Sequence, residues 1–210
     1  MRYFIGVLIG YFLGCLNPTY LLSIVKNIDM RKSGTGNLGA TNAMLTMGKW
    51  FGIAVMLFDI AKAFIPVLIF KLIFPYDHVL ILTVGLCVVL GHVFPFYLSF
   101  KGGKGVAALG GLVLAYDPIM FLILLGFGVC CVLCFNYMFA LPISASAAFP
   151  VLVGFSTKAP LPTIIAAIIG LTVILKHSRN FKRISDGTEI KFYEYLKGKY
   201  EIKKFKKKDK

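Results

Sequence analysis

The sequence predicts an all-α, polytopic integral membrane protein with about seven transmembrane helices, its N-terminus outside and its C-terminus in the cytoplasm. Hydrophobic residues make up 58% of the 210 positions and charged residues only 15%, whereas soluble domains are about 45–50% apolar and about 25% charged. The mean hydropathy is +0.81. Apolar residues also run together over lengths close to the roughly 20 residues that a membrane-spanning helix needs. This composition excludes an ordinary water-soluble domain.

Seven apolar segments account for the predicted helices. Three of them are long enough to span the bilayer, and three shorter ones still allow a crossing. In chain order the six are residues 3–25, 50–74, 79–99, 119–135, 137–155 and 160–176. The seventh, residues 106–116, would measure only about 16 Å as a helix. The first segment lacks a small-residue cleavage site, so we interpret it as a retained helix rather than a signal peptide.

The positive charges predict the orientation. Lys and Arg are concentrated in loop 26–49, in loop 100–105 and in residues 176–210, which hold 13 of the 23. The positive-inside rule places all three regions in the cytoplasm. The last two regions share a side only if an even number of helices separates them, so residues 106–116 are predicted to cross as well. The alternative is six helices with 106–116 re-entrant, which would leave the basic tail outside.

Two further regions were interpreted by composition. The chain divides into one transmembrane domain, residues 1–192, and a basic cytoplasmic tail, residues 193–210, which is expected to bind anionic lipid headgroups rather than nucleic acid. Cys130, Cys131 and Cys134 are close enough to suggest a metal cluster, but no His or carboxylate lies near them in the sequence. They are expected to pack as free thiols in an apolar helix, and no metal is predicted.

A first polar island interrupts the apolar pattern at SGTGNLGATN, residues 33–42. Glycines allow successive backbone N–H groups to form a concave nest that suits an anion, and the amides and hydroxyls add neutral hydrogen-bond partners. The alternative is a polar turn with a helix cap, but the segment is longer than a tight turn needs. The predicted phosphate-binding residues are Ser33, Gly34, Thr35, Gly36, Asn37, Gly39, Thr41 and Asn42.

A second polar island is GHVFPFYLSFKGGKGVA, residues 91–107. It is not a Walker P-loop, because Leu98 and Gly105 occupy positions where that motif has Gly and Ser or Thr. The physics is similar, since glycines let a ligand approach the backbone, a helix begins next and lysines supply charge. The alternative is that the lysines only anchor helix ends. The residues predicted to bind phosphate here are His92, Lys101, Gly102, Gly103, Lys104 and Gly105.

A third polar island is HSRNFKRISDGTEIKF, residues 177–192. His177, Asn180 and Arg183 are spaced by three and would share one face of a helix, with a turn after them at Asp186–Gly187. A further polar pair, Asp59 and Lys62, lies inside an apolar segment, where ionisable residues are costly. The two residues are predicted to form an ion pair facing the bundle interior, with either a structural or a functional role. Few acids accompany the cations, so an anionic, phosphate-like ligand is predicted.

The three islands resemble the three motifs of the bacterial acyl-phosphate:glycerol-3-phosphate acyltransferases, the PlsY family. The third motif is present as HxxNxxRxxxGxExK, from His177 to Lys191 and including Glu189. The resemblance covers nearly the whole chain. It implies seven helices in the bacterial cytoplasmic membrane, with the three motifs and the active site on the cytoplasmic side. We expect a monomer.

The resemblance also implies a reaction. An acyl group would move from acyl phosphate to the 1-hydroxyl of glycerol 3-phosphate, giving lysophosphatidic acid, with no cofactor, metal, acyl carrier protein or acyl-CoA. His177 and Asn180 are expected to be catalytic, and Arg183 and Glu189 to help bind the substrates. Two candidates for the general base are His177 and a phosphate oxygen of the substrate.

The chain departs from the family pattern at several polar positions. Leu45 stands where the family pattern NVxR has Arg, Ala108 stands in place of Thr, and NYMF at residues 136–139 replaces RYVS. One alternative is therefore a diverged or inactive relative with another phosphorylated acceptor or a regulatory role. Another alternative is an organophosphate transporter. It is less favoured, because transporters often have inverted repeats and polar residues at the membrane midplane, whereas this chain shows no internal repeat and its polar residues lie at one face.

Overall fold

Interruptions in the apolar pattern set the ends of the helices in the computed structural model, which describes residues 1–189 and 191–196. The helices are α1 Arg2–Cys15, α2 Pro18–Val25, α3 Ala40–Met47, α4 Lys49–Ile73, α5 His78–Val93, α6 Val106–Tyr116, α7 Pro118–Phe135, α8 Ala140–Thr157, α9 Pro160–Leu175, α10 Ser178–Ser185 and α11 Phe192–Leu196, with a 3₁₀ helix at Phe96–Leu98. Most of the predicted basic tail lies outside the described residues.

The prediction of an all-helical membrane protein is confirmed. Within the described part of the chain, five stretches are long and apolar enough to cross a membrane: Arg2–Val25, Lys49–Ile73, His78–Leu98, Pro118–Phe135 and Ala140–Thr157. Helices α9 and α10 form a sixth such stretch that bends by 42° at their junction, and α6 is a shorter apolar helix. The ends agree with the predicted segments to within a few residues.

The structure corrects one detail of the predicted segments. Segment 3–25 was predicted as one helix, but it breaks at Leu16 into α1 and α2, because Asn17 caps α2 by accepting a hydrogen bond from the Tyr20 N–H at 2.8 Å. Within loop 26–49, the short helix α3 follows the first island. Both features use the polar residues between the apolar runs as helix caps or first-turn residues.

Small residues let the helices approach closely around α5, whose residues are mostly buried. A Cβ atom added at Gly14 of α1 would overlap the Val88 carbonyl of α5, and one at Gly111 of α6 would overlap the Ile60 carbonyl of α4. Small side chains serve this purpose in membrane bundles, where burial of apolar surface does not drive association. The close packing fixes α4, α5 and α6 beneath the polar islands.

Two of the cysteines contradict the packing prediction. Cys130 and Cys134 are exposed on α7 rather than packed inside, and Cys131 is half-buried. An apolar thiol on the outer face of a membrane helix can lie against lipid, which composition alone does not distinguish from burial. Within residues 1–189 and 191–196, no group of three His, Cys, Asp or Glu side chains is placed to hold a metal.

The polar islands lie at one end of the bundle. Arg31 of the loop after α2 donates a hydrogen bond to the Leu98 carbonyl at 2.9 Å, and Lys104 contacts Asn180. Helices α6 to α9 separate Lys104 from Asn180 in the chain. The chain therefore leaves this end and returns to it across four helices, and the short α6 is one of them.

Candidate functional site

A chain of charge-assisted hydrogen bonds joins the second and third islands. Lys104 Nζ donates to Asn180 Oδ1 at 2.6 Å, and Asn180 Nδ2 donates to Glu189 Oε1 at 2.8 Å. Arg183 Nε donates to the other carboxylate oxygen of Glu189 at 2.7 Å. We call these four residues the surface cluster. Glu189 satisfies Asn180 and Arg183 with its two oxygens. Within residues 1–189 and 191–196, the remaining N–H groups of Lys104 and Arg183 are available to a ligand.

Lys104 is half-buried and lies near two other cations, Arg179 and Arg183. Burial and the positive charges of Arg183 and Arg179 together lower the pKa of Lys104 to about 8, although the negative charge of Glu189 opposes them. The ammonium is therefore charged at neutral pH but loses its proton more easily than an ordinary lysine. The Lys104 ammonium donates to a neutral amide, so a bound phosphate would place a negative charge beside it and stabilise its protonated form.

His177 lies at the N-terminal end of α10 and is buried, with 2% of its surface exposed. Its Nδ1 lies 2.8 Å from the Val173 carbonyl, which can only accept, so Nδ1 carries the proton and Nε2 is the acceptor. Burial lowers the pKa of His177 to about 4, and the charge on Lys104 acts in the same direction. The ring is neutral at physiological pH.

The first island is shaped around Asn42, which is fully buried in the first turn of α3. Asn42 Oδ1 accepts the Thr35 N–H at 2.7 Å, and Asn42 Nδ2 donates to the Met30 carbonyl at 2.9 Å. Gly34 has φ of +56°, and a Cβ there would overlap Asn42 Oδ1. Asn42 therefore holds the loop in shape, while the half-buried residues Ser33, Gly34, Thr35, Gly36, Asn37 and Gly39 and the exposed Thr41 form its surface.

Glycines of the second island pack on α5. The N–H groups of Gly102 and Gly103 donate to the carbonyls of Val93 and His92 at 3.0 and 3.1 Å. A Cβ at Gly103 would overlap the His92 ring. Gly105, with φ of +87°, caps the start of α6. These glycines therefore serve the loop's contact with α5 and set the position of Lys104, while Lys101 is exposed at the rim.

The buried cluster consists of Asp59, Lys62 and His92. Lys62 Nζ lies 2.7 Å from Asp59 Oδ1, and His92 Nδ1 lies 3.4 Å from the same oxygen. The three residues are 2%, 6% and 3% exposed. The sequence grouped His92 with the substrate-binding residues, but the structure places its ring in the interior, beneath Gly103.

Sequence reasoning missed the contribution of Asn136. This residue ends α7 in the left-handed conformation, with φ of +59°. Its carbonyl accepts the Phe192 N–H, and its Oδ1 accepts the Tyr193 N–H, both at 2.9 Å. These bonds anchor the segment that follows Glu189. The preference of Asn for left-handed helix ends indicates the conformation of Asn136, but it does not indicate that Asn136 binds the backbone of residues 192 and 193. Arg31 was likewise missed as the link between the first two islands.

The family profile described as glycerol-3-phosphate acyltransferase matches residues 4–187. The chain belongs to this family. The match includes the three islands up to the turn at Gly187, and it confirms the predicted PlsY resemblance. The protein is a multi-pass membrane protein and an acyltransferase of this family.

Relatives and solved structures agree with the family assignment. A glycerol-3-phosphate acyltransferase of Macrococcus caseolyticus is 40% identical over 192 residues, which cover 88% of this chain and 94% of that protein. The crystal structure of PlsY, an integral membrane glycerol 3-phosphate acyltransferase, in its glycerol 3-phosphate form superposes with a TM-score of 0.86 at 31% identity, covering 96% of this chain and all of that one. Its lysophosphatidic acid form gives 0.81 at 32% identity, covering 93% and 99%.

The assignment decides among the alternatives drawn from the sequence. Glycerol-3-phosphate acyltransferase activity is favoured over a transporter or a regulatory relative. Leu45, which stands where the family pattern has Arg, lies half-buried on α3, three residues after the end of the first island. The glycerol-3-phosphate acyltransferase family fold is therefore kept around a first island that has one cation fewer than the family pattern.

Proposed function

We propose that the protein transfers an acyl group from acyl phosphate to the 1-hydroxyl of glycerol 3-phosphate, giving lysophosphatidic acid and inorganic phosphate. The observation that carries this proposal is the position of Lys104. Its Nζ lies 2.6 Å from Asn180 Oδ1, at the end of the bundle where the three islands meet. The crystal forms of the related PlsY, one with glycerol 3-phosphate and one with lysophosphatidic acid, support both the acceptor and the product.

The charges around the surface cluster suit two phosphorylated substrates. Lys104, Arg179 and Arg183 place three cations near one acid, Glu189. Backbone N–H groups of the first island add uncharged donors for an anion. We propose that this excess of positive charge holds the phosphate groups of both substrates and stabilises the charge that develops as the acyl carbonyl is attacked.

The proposed chemistry needs no covalent enzyme intermediate. The 1-hydroxyl oxygen of glycerol 3-phosphate forms a bond to the acyl carbon, and the bond from that carbon to the phosphate oxygen breaks. An efficient general base has a pKa near the operating pH, whereas that of His177 is about 4. We therefore propose that an oxygen of the departing phosphate takes the proton of the 1-hydroxyl, while neutral His177 accepts a hydrogen bond at Nε2 from the acceptor's 2-hydroxyl and so orients the acceptor.

We also propose a placement in the membrane. We infer seven crossings in all, of which four, α6 to α9, lie between Lys104 and Asn180 and bring the chain back to the same end. The positive-inside rule makes this the cytoplasmic end of the bacterial inner membrane. The basic residues after 196 would meet anionic headgroups there. The proposed site is built within one chain, consistent with an active monomer.

The test is product formation by the purified protein in detergent or vesicles. Palmitoyl phosphate and radiolabelled glycerol 3-phosphate should give labelled lysophosphatidic acid, and palmitoyl-CoA in place of palmitoyl phosphate should not. Absence of product with palmitoyl phosphate would overturn the proposal. Labelled glycerol 3-phosphate that accumulates inside sealed vesicles without forming lipid would instead indicate transport.

A further inference from the structure

We infer that the buried cluster of Asp59, Lys62 and His92 positions the first two islands, and with them Lys104, for the proposed acyl transfer. The three are positioning residues rather than catalytic ones, because none is placed at the surface where the substrates would meet. The inference rests on the proposed function for its kinetic consequence. Its structural consequence, the position of Lys104, can be measured without any turnover.

The burial of this cluster argues against an incidental ion pair. Removing charged groups from water is costly, and ionisable residues inside a membrane bundle are usually paired with one another or with backbone carbonyls. Lys62 has both kinds of partner, Asp59 Oδ1 at 2.7 Å and the Leu16 carbonyl at 2.6 Å. The cation is thus directed at a particular point of the backbone as well as at its acid.

One arm of the cluster reaches the second island. His92 Nδ1 faces Asp59 Oδ1, and the other side of the ring lies against Gly103, where a Cβ would overlap it. The Gly103 N–H is bonded to the His92 carbonyl at 3.1 Å. Lys104 is the next residue, so the height of the loop above α5, and with it the position of the Lys104 backbone, depends on the His92 ring.

The other arm reaches the first island. Leu16, whose carbonyl accepts from Lys62, lies at the break between α1 and α2. The next residue, Asn17, caps α2 and donates from Nδ2 to the Leu38 carbonyl of the first island at 3.2 Å. The buried pair is therefore connected to the first island through two hydrogen bonds, Lys62 to Leu16 and Asn17 to Leu38, and to the second island through the His92 ring.

The first experiment separates the ring from the charges. His92→Asn keeps an amide that can meet Asp59 but removes the part of the ring beneath Gly103. Asp59→Asn with Lys62→Met keeps His92 and removes both charges together, which buried pairs tolerate better than the loss of one. Both variants should raise KM for glycerol 3-phosphate about five- to tenfold with a smaller change in kcat, the signature of displaced binding groups.

The second readout follows Lys104 directly. Competitive labelling with acetic anhydride across pH, quantified on the peptide containing Lys104, reports its titration. The charged or titratable groups around its ammonium are Arg179, Arg183, Glu189 and His177. In the wild type the labelling midpoint should lie near the pKa of about 8. In both variants it should rise, because a displaced Lys104 becomes more solvated.

The control lies at the other end of the same helix. Asp77 caps α5 through the Leu80 N–H and pairs with Arg2 at 3.1 Å, remote from the islands. Asp77→Ala should lower the unfolding temperature but leave both KM and the labelling midpoint unchanged. Folded His92→Asn and double variants with wild-type KM and midpoint would overturn the inference and leave the cluster a purely structural feature. An inactive wild type would refute the proposed function, while the labelling midpoints would still decide the positioning role.

Discussion

The buried cluster and the surface cluster use the same residue types to different ends. In the buried cluster, Lys62 has its acid and a backbone carbonyl as partners and almost no contact with solvent. In the surface cluster, the Arg183 side chain is 28% exposed, and Lys104 has one acceptor among the described residues for its three donors. Cations whose partners are all within the protein fix geometry, whereas cations with donors to spare can bind a ligand. Removing either kind of cation should therefore have a different consequence.

The largest effect is expected from breaking the buried pair. Lys62→Met leaves Asp59 charged and unpaired in the interior, which should cost about 3–5 kcal/mol of unfolding free energy. The measurement is thermal unfolding of the purified protein in detergent. Lys71→Met is a matched control in the same helix, because the acceptors of Lys71 in the described part of the chain are two uncharged groups, the carbonyls of Ala115 and Tyr116. Equal destabilisation by both substitutions would contradict the comparison.

The next effect falls on the surface cluster and on activity rather than stability. Lys104→Ala removes a cation from the proposed transition state and should lower kcat/KM about 100-fold. The unfolding temperature should fall far less than in Lys62→Met, because the lost hydrogen bond leaves a neutral amide oxygen of Asn180 without a partner rather than a buried charge. Lys26→Ala, at an exposed lysine whose Nζ lies 5.1 Å from the Phe51 ring centroid, is the control. Wild-type turnover in Lys104→Ala would remove this residue from the site.

The sequence predicted the positions of the helices better than the roles of individual polar residues. Long apolar runs are enough to locate α4, α5 and α7, because the bilayer sets the length of each span. The break at Leu16 was not predicted, since hydropathy continues across it. Asn42 and His92 have side chains that suit either a ligand or a neighbouring backbone group. Only packing shows that both face inward, and no spacing rule brings Asn136 to the segment after Glu189.

The pH dependence of kcat/KM should distinguish the charges around Lys104, because single substitutions should shift its alkaline limb by about one pH unit. Because the pKa of Lys104 is lowered to about 8, kcat/KM should be full below that pH and fall as the pH rises through it. Glu189→Gln removes an anion that favours the charged ammonium and should move this limb to lower pH. Arg179→Ala removes a neighbouring cation and should move it to higher pH. Rate profiles from pH 6 to about 10 measure the three limbs, and equal shifts in both variants would contradict the assigned charges.

The smallest expected effect comes from restoring a cation to the first island. Leu45 is half-buried on α3, so an arginine there can keep its charged head in water while its stem packs on the helix. Leu45→Arg should lower KM for glycerol 3-phosphate about two- to fivefold, because a partly exposed charge adds only about 0.5–1 kcal/mol. Leu45→Gln tests the change in shape without the charge, using initial rates at fixed palmitoyl phosphate. Equal KM values in all three proteins would mean that this side of the first island does not face the acceptor's phosphate, and that the available cations of the second and third islands hold it alone.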